Sequence, residues 1–508
     1  MGWQERCEEG GSLLVPAGSL AERICALIRL RSRQAWLVGG YVRDRLLGRV
    51  SHDLDFVVPR GGLALARRVA DHLSGAFYAL DAERDVGRAI LRDTNGATIL
   101  VDIARWRSDD LRADLVARDF TVNALAYDIV NRGEIIDPTG GLADLRAGVL
   151  RGPSSTVFQE DPIRLLRAVR LEAQLGFHLE PTTEAWLRRD ASLLRLTASE
   201  RVRDEMVRLL TLPEAARHLA RLEETGLLTF VLPELAACRG VHQSPPHHFD
   251  VYEHTLEVVR HTEALLRGLE VLPGDKPAVD ASPLAPLPPP LQPMGERLKS
   301  HLMMPTSGGR HRGQILLWAA LAHDWAKPLT QSVEQDGRIR FIGHEEQGAE
   351  MAATRLAALC FSGDEVERVA LIVRQHMRPS LLARAGSVTR RAIYRFFRDA
   401  GDAGPDVLLL SLADHLGTHG PDLDRQVWEE RLALVARMLA AYFDEREIVE
   451  PRPLLSGDDL MAVLSIAPGP LVGELLMKLR EAQAAGEVSS REEAVAFLRS
   501  QIGESQKP

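Results

Sequence analysis

Hydrophobic and polar positions follow two different rhythms along this chain. Between about 34 and 136, short apolar runs stand between polar stretches: AWLVG at 35–39, LDFVV at 54–58, RAILRD at 88–93 and TILVDIA at 98–104. Runs of this length, bounded by turn residues, predict strands. Residues 19–31 place apolar positions at helical spacing and predict an amphipathic helix. From about 140 onward the pattern is helical almost to the end, and LLWAALA at 316–322 predicts a buried helix. The expected fold is therefore an α/β N-terminal head, a small mixed sheet with helices, followed by a mostly α-helical remainder. One stretch interrupts the helical part. LPGDKPAVDASPLAPLPPPLQPMG, at 272–295, is too rich in proline for helix or central strand and predicts an exposed, partly extended loop inside a domain.

Composition narrows the class. At 508 residues the chain exceeds one hydrophobic core, so several domains are expected. Hydrophobic residues at 45% and charged residues at 26% describe an ordinary globular protein. Aromatics at 5% argue against extended base-stacking platforms. A formal charge of -9 argues against a uniformly basic nucleic-acid binder and leaves room for local arginine clusters. Cys7, Cys25, Cys238 and Cys360 lack C-x-x-C spacing, which disfavours disulfide staples and a cysteine zinc site and fits a reducing cytoplasm. The N-terminus MGWQERCEEG has no apolar signal region, and no apolar run has the length of a membrane span. Neither G-x-x-x-x-G-K-[ST] nor G-x-G-x-x-G occurs, which closes the P-loop and Rossmann routes to nucleotides.

The chemistry starts at LVGGYVRDRLLGRVSHDLDFVV, 37–58. Gly39 and Gly40 lie between a predicted strand and a helix, where backbone N–H groups can approach a phosphate. Arg43, one turn on, could reach the same anion. The next strand carries Asp53 and Asp55, which alternation puts on one face. Two such carboxylates repel unless a cation sits between them. The pattern fits either an exposed polar edge or a divalent-metal site. Asp102 ends another apolar run. It is either a strand-end solvent acid or a third ligand, completing a set able to hold two Mg²⁺ roughly 3.5–4 Å apart.

Five ordered motifs then carry a resemblance: GGYVRD, HDLDFVV, ARDFTVNALAYD (117–128), IDPTGGLADLRAGVLR (136–151) and EDPIRLLRAVRLEAQLGF (160–177). Over about 34–210 the chain resembles the bacterial class II tRNA nucleotidyltransferases, which comprise CCA-adding enzymes and bacterial poly(A) polymerases. The resemblance implies that Gly40 and Arg43 bind the triphosphate, Asp53 and Asp55 bind Mg²⁺, and Arg118 contacts the incoming nucleotide. Ala117 stands where the family commonly has a second arginine. In EDPIR, Pro162 fits a first helical turn with Asp161 at the N-cap. Arg164 lies three residues on, over the same face. The carboxylate could accept from the amino group of cytosine or adenine while the guanidinium donates to the ring nitrogen, selecting C and A without a template. The family uses arginines matching Arg167 and Arg170 for nucleotide contacts. It also uses a flexible segment matching YALDAERDVGRAIL (78–91) to switch from C to A addition. Asp81, Glu83, Arg84 and Arg88 in that segment receive no catalytic role here.

A second constellation lies in the helical part. His254 occurs in VYEHTLEVV, His323–Asp324 in LAHDWAKP, His344 in IGHEE, His376 in VRQHM and Asp414 in LADHLG. Imidazole and carboxylate ligands suit Mn, Fe, Co, Ni or Zn. The order resembles the HD superfamily of metal-dependent phosphohydrolases, with His254, His323, Asp324 and Asp414 as its skeleton. His344 and His376 match the extra ligands of two-metal members. Lys327 is similar to the family's lysine, with Ala326 in place of the usual glycine.

The resulting expectation is a template-independent enzyme that adds or repairs the tRNA 3′-terminal CCA from CTP and ATP, releasing pyrophosphate. Its parts are a head at 1–150, a helical neck binding nucleotide and RNA at 151–238, an HD domain with the Pro-rich insertion at 239–445, and a helical tail at 446–508 that could touch RNA. Expected partners are tRNA, CTP and ATP, with no membrane and no obligate protein partner. CC-only, A-only or poly(A) addition shares the same head. An HD phosphohydrolase with an RNA-binding head is the remaining alternative.

Overall fold

The computed structural model describes residues 14–93, 95–107, 110–131, 135–274, 282–386 and 388–505, with side chains to 501. Cys7 and the acidic N-terminus lie outside the described residues, as do 275–281 of the Pro-rich stretch. Two compact units are formed, Met1–Thr197 and Ala198–Pro508.

The first unit is built on seven strands: β1 (Trp36–Val38), β2 (Asp53–Val58), β3 (Ala76–Asp81), β4 (Val86–Arg92), β5 (Thr98–Arg105), β6 (Ala126–Asp128) and β7 (Ile135–Ile136). Their order is β3-β4-β5-β2-β1-β6-β7. Only β2 and β5 pair in parallel, so the sheet is mixed. The four predicted apolar runs are β1, β2, β4 and β5. The pattern missed β3, whose outer-edge position leaves Tyr78 and Leu80 about half exposed. It also missed β6 and β7, which are too short to show a period. Helix α1 (Leu20–Arg29) takes the predicted place, capped by the Ser19 side chain accepting from the Glu22 N–H. Helices α2 (Gly40–Leu46), α3 (Gly62–His72), α4 (Leu111–Val116) and α5 (Arg164–Leu175) follow. Trp36, Val38, Val57, Leu111, Leu115, Ala124 and Ala126 form one apolar cluster under the sheet.

The second unit is helical. Its site is carried by α6 (Val251–Gly268), α7 (Arg312–Ala322), α8 (His344–Ala358), α9 (Gly363–Gln375) and α10 (Gly404–His419). Residues 316–322 are buried in α7, as predicted. A hairpin at Gln331–Val333 and Ile339–Phe341 breaks the predicted run of helices. The Pro-rich stretch also departs from expectation. Pro289–Met294 is a 3-10 helix, and Leu284, Ala285, Leu291 and Met294 are buried. Proline is tolerated in the first turn, where no N–H is needed, and the intervening Leu and Met residues supply apolar anchors. Three tail helices, Gly457–Leu464, Pro470–Ala485 and Arg491–Ser505, share an apolar cluster of their own. Among the described residues no helix is long and apolar enough to cross a membrane.

Candidate active site and metal centre

The parallel pair β2–β5 sets the first site. Asp55 stands opposite Asp102 in the ladder, and Arg88 on β4 stands opposite Asp102 from the other side. Arg88, Asp102 and Asp55 therefore occupy one row on one face. Asp53, two residues before Asp55, shares that face. Leu54 and Phe56 point into the core at 3% and 1% exposure, while Asp53 is exposed and Asp55 half-buried. The predicted alternation holds, and all three acids come together. Their crowding shows in the Asp55 carboxyl, pushed from 3.8 up to about 6. Burial is the main cause, and the charges of Asp102 and Asp53 add to it against those of Arg118 and Arg88. Carboxylate oxygens gathered on one face are the donor type that a hard divalent cation takes.

Asp102 is not free. Arg88 donates to it twice, Nε to Oδ1 at 2.7 Å and Nη2 to Oδ2 at 2.8 Å. Sequence reasoning gave Arg88 no role. Its signal was positional, an arginine alternating with buried Gly87, Ala89 and Leu91 on the face away from the core.

The glycine turn works differently from expectation. Gly39 adopts φ 70° and ψ -138°, a conformation that side chains exclude. A β-carbon there would lie 2.9 Å from Arg118 Nη1 and 3.6 Å from Asp55 Oδ2. The glycine makes room for a guanidinium beside a carboxylate. Its own N–H donates to the Leu125 carbonyl at 3.2 Å, so Gly39 offers no amide to a phosphate. Gly40 opens α2.

Arg43 is 5% exposed and bonded to two side chains. Its Nη1 donates to Asn123 Oδ1 at 2.6 Å and its Nε to Asp44 Oδ1 at 2.8 Å. Asn123 Nδ2 donates to Asp119 Oδ1 at 3.0 Å, and Asp119 Oδ2 accepts from Arg167 Nε and Nη2 at 3.0 and 2.7 Å. A chain of hydrogen bonds thus joins α2 to α5. Burial pushes the Asp119 carboxyl up, but the Arg167 charge and the Asn123 hydrogen bond outweigh it and draw it down to about 2. Asn123 and Asp119 went unnoticed in the sequence, because only the fold brings residues 43, 123 and 167 together.

The EDPIR segment is also rearranged. Helix α5 begins at Arg164, and Ile163 rather than Asp161 holds the N-cap position. Asp161 is extended, and its carbonyl accepts from the Arg164 N–H at 3.0 Å. A Pro162–Ile163 turn intervenes because the proline starts a tight three-residue bond pattern before the helix. Arg164 donates to the Ala117 carbonyl at 2.8 Å, the Val157 carbonyl at 3.2 Å and Glu160 at 3.3 Å. It holds the backbone next to Arg118. Arg118 itself reaches Asp114 at 3.4 Å. Arg170 donates to Gln174 at 2.6 Å.

The second site gathers all six expected groups. His254 lies inside α6, His323 and Asp324 follow α7, His344 opens α8, His376 follows α9, and Asp414 lies in α10. Three imidazoles are oriented by backbone carbonyls through Nδ1: His323 to Ala320 at 2.8 Å, His344 to Phe341 at 2.7 Å and His376 to Val373 at 2.6 Å. That fixes each ring and leaves its Nε2 facing the other imidazoles, the nitrogen that a metal would take. His254 and His323 Nε2 lie 3.1 Å apart, and His344 and His376 Nε2 3.4 Å apart. Asp324 stands between the pairs. Its Oδ2 is 3.3 Å from His254 and 3.2 Å from His323, and its Oδ1 is 3.4 Å from His344. Asp414 Oδ1 lies 3.2 Å from His254. Two donor sets result, His254/His323/Asp414 and Asp324/His344/His376. Neither Asp324 oxygen accepts a well-aligned hydrogen bond, although Lys327 Nζ is 2.6 Å from Oδ2 as an ion pair. Burial lowers the His254 imidazole, but Asp324 and Asp414 outweigh it and raise it to about 9. The donor chemistry fits a transition metal. His247 was missed by sequence reading. It is 5.8 Å from His254, ring to ring, and lies in the HHFD run that leads into α6.

Three carboxylates against a glycine turn, on a small mixed sheet, are the arrangement of a nucleotidyltransferase head. The buried His/Asp centre is that of an HD-type domain. Comparison with known proteins agrees. Residues 35–151 match the family described as poly A polymerase head domain, 176–239 the one described as "Probable RNA and SrmB- binding site of polymerase A", 251–418 the HD domain and 425–498 the one described as "tRNA nucleotidyltransferase domain 2 putative". The chain is 37% identical to the A-adding tRNA nucleotidyltransferase of Deinococcus radiodurans, over 91% of this chain and 94% of that protein. It is also 37% identical to the CC-adding tRNA nucleotidyltransferase of Thermus thermophilus, over 92% and 93%. A CCA-adding enzyme solved with CTP has the same fold at 18% identity, with a TM-score of 0.60 over 97% of this chain and 98% of that one. The chain belongs to the tRNA nucleotidyltransferase family and carries an HD domain.

Proposed function

We propose that the head transfers nucleotides from CTP and ATP to the 3′ end of tRNA, building or repairing the terminal CCA with release of pyrophosphate. The observation that carries this is the row of Asp53, Asp55 and Asp102 on adjacent strands beside Gly39 and Arg118. Mg²⁺ held by Asp53 and Asp55 would lower the pKa of the attacking hydroxyl and neutralise charge on the triphosphate. Arg118 would meet the incoming nucleotide, and Arg164 donates to the Ala117 carbonyl beside it. Asp161 lies at the start of the base-reading segment. Arg43, Asn123, Asp119 and Arg167 hold α2 against α5. In the second unit, His254, His323, Asp324, His344, His376 and Asp414 would hold Mn, Fe, Co, Ni or Zn and serve phosphoester hydrolysis. The domain reading is head 1–150, neck 151–238, HD domain 239–445 and tail 446–508, the last suited to touching tRNA. A cytoplasmic setting follows from these substrates.

A narrower reading, CC-only addition, has one observation in its favour. Segment 78–91, matched to the family's C-to-A switch, forms the β3–β4 hairpin. Asp85 in its turn accepts from the N–H groups of Gly61, Gly62 and Leu63 at 2.6, 3.0 and 2.9 Å. A hairpin tied to α3 is poorly suited to relocate between two nucleotides. Sequencing the products made on tRNAs lacking three, two or one terminal nucleotide decides the matter. Extension of all three through the final A supports full CCA addition. Arrest after the second C supports the narrower reading. No extension of any substrate overturns both.

A further inference from the structure

Among the three carboxylates of the head, Asp102 alone has both oxygens covered by a guanidinium. The Arg88 fork is bidentate, and both side chains keep partial solvent access, 34% for Arg88 and 25% for Asp102. The ion pair sits in the same cross-strand row as Asp55. Arg88 also projects from the β3–β4 hairpin, whose only strand partner besides β3 is β5. We propose that Arg88 is a resident counter-ion for the third carboxylate, competing with a divalent cation for Asp102 and so setting how readily the head takes a second metal. This rests on the reading of Asp53, Asp55 and Asp102 as metal-binding carboxylates.

The physical case is one of charge. Asp53, Asp55 and Asp102 together bring three negative charges to one face, and Arg118 and Arg88 are the cations that oppose them at Asp55. Arg118 is held at the Gly39 turn. Arg88 is the one placed on Asp102 itself. A guanidinium that takes one lone pair of each oxygen leaves a carboxylate with fewer free lone pairs and with its charge already opposed, so Asp102 is a weaker donor to a cation while Arg88 stays in place. The first cation meets Asp53 and Asp55 without that competition. The second meets the Arg88 charge at Asp102 and binds best when the guanidinium gives way. Partial solvent access makes the displacement feasible, because a half-exposed pair is bound far less tightly than a buried one. Arg88 is thus a positioning residue. It acts on the metal through Asp102.

The test is Mn²⁺ binding to the full chain without nucleotide, followed by electron paramagnetic resonance of free Mn²⁺. Variants are Arg88→Ala, Arg88→Lys, Asp102→Asn, Asp55→Asn and Arg88→Ala/Asp102→Asn. The HD centre contributes equally to every curve and cancels in the differences. Arg88→Ala is expected to take up its additional head-site Mn²⁺ at about tenfold lower concentration than the natural chain, a difference of about 1.4 kcal/mol. Arg88→Lys, with one donor point instead of a fork, should fall between them. Asp102→Asn should remove the additional site in either background. Identical curves for the natural chain, Arg88→Lys and Arg88→Ala would overturn the proposal. An Asp55→Asn curve that coincides with the natural one would instead overturn the carboxylate site itself. Thermal melts establish that each variant is folded, and Arg88→Lys decides the matter if Arg88→Ala is not.

Discussion

Asp55→Asn is expected to make the metal-free protein more stable while destroying its activity. In the folded chain the Asp55 carboxyl rises from 3.8 to about 6, mainly through burial and then through Asp102 and Asp53. A carboxyl raised on folding binds its proton more tightly when folded, so its contribution to stability is complete below the unfolded value. It is lost as pH rises through the folded value. Above about pH 6 the folded chain therefore holds a charge it disfavours. At about 1.4 kcal/mol per pH unit this is a cost of about 3 kcal/mol for a dry site. Asp55 retains some solvent contact, so about 1–2 kcal/mol is the realistic figure. Asparagine keeps the shape and removes the charge. For a unit of this size the gain is about 3–6 °C in melting temperature. The assay is thermal unfolding in EDTA at about pH 7.5 and about pH 4. The gain should be present at the higher pH and vanish at the lower, where the natural carboxyl is protonated. Added Mg²⁺ should stabilise the natural chain and leave Asp55→Asn nearly unmoved. A variant no more stable than the natural chain at about pH 7.5, or equally stabilised at both pH values, would refute the crowding argument.

Other perturbations probe separate parts of the account. Gly39→Ala forces a side chain into φ 70° and against Arg118 at 2.9 Å. It should cost about 1–3 kcal/mol in urea unfolding and raise KM for CTP while tRNA affinity stays unchanged. Arg167→Ala leaves Asp119 buried without its guanidinium and should cost about 1–3 kcal/mol at neutral pH. Asp119 is depressed to about 2, so that deficit is present above about 4 and fades as pH falls toward 2 in pH-dependent unfolding. Asp324→Ala removes the acid of one donor set, whose Oδ2 also approaches His254 and His323 of the other, and should strip bound transition metal by elemental analysis, with nucleotide addition intact.

What could be read from the sequence divides along physical lines. Alternation put Asp53 and Asp55 on the face opposite Leu54 and Phe56, because a strand's period depends on nothing beyond itself. The six histidines and aspartates of the second site were legible through the order in which they occur, which resembles the HD superfamily. β3 escaped because its exposed outer edge needs no apolar face. Pro289–Met294 escaped because its apolar residues bury through a tertiary contact that proline content hides. The protein partners of Arg43 and Arg164 escaped the sequence alike. Each was read as a donor awaiting a ligand, and each is spent on protein oxygens that only the fold brings near. Arg88 belongs with them, since its partner lies on the neighbouring strand and the register cannot be read from either strand alone.

The central claim is that the carboxylates on β2 perform nucleotidyl transfer to tRNA. The direct measurement is incorporation of labelled CTP and ATP into tRNA lacking its terminal CCA, with Mg²⁺ present, by the natural chain and by Asp53→Ala, with tRNA binding followed in parallel. The account predicts extension by the natural chain, and no detectable extension by Asp53→Ala at unchanged tRNA affinity. Extension by Asp53→Ala at a tenth of the natural rate or more would contradict it.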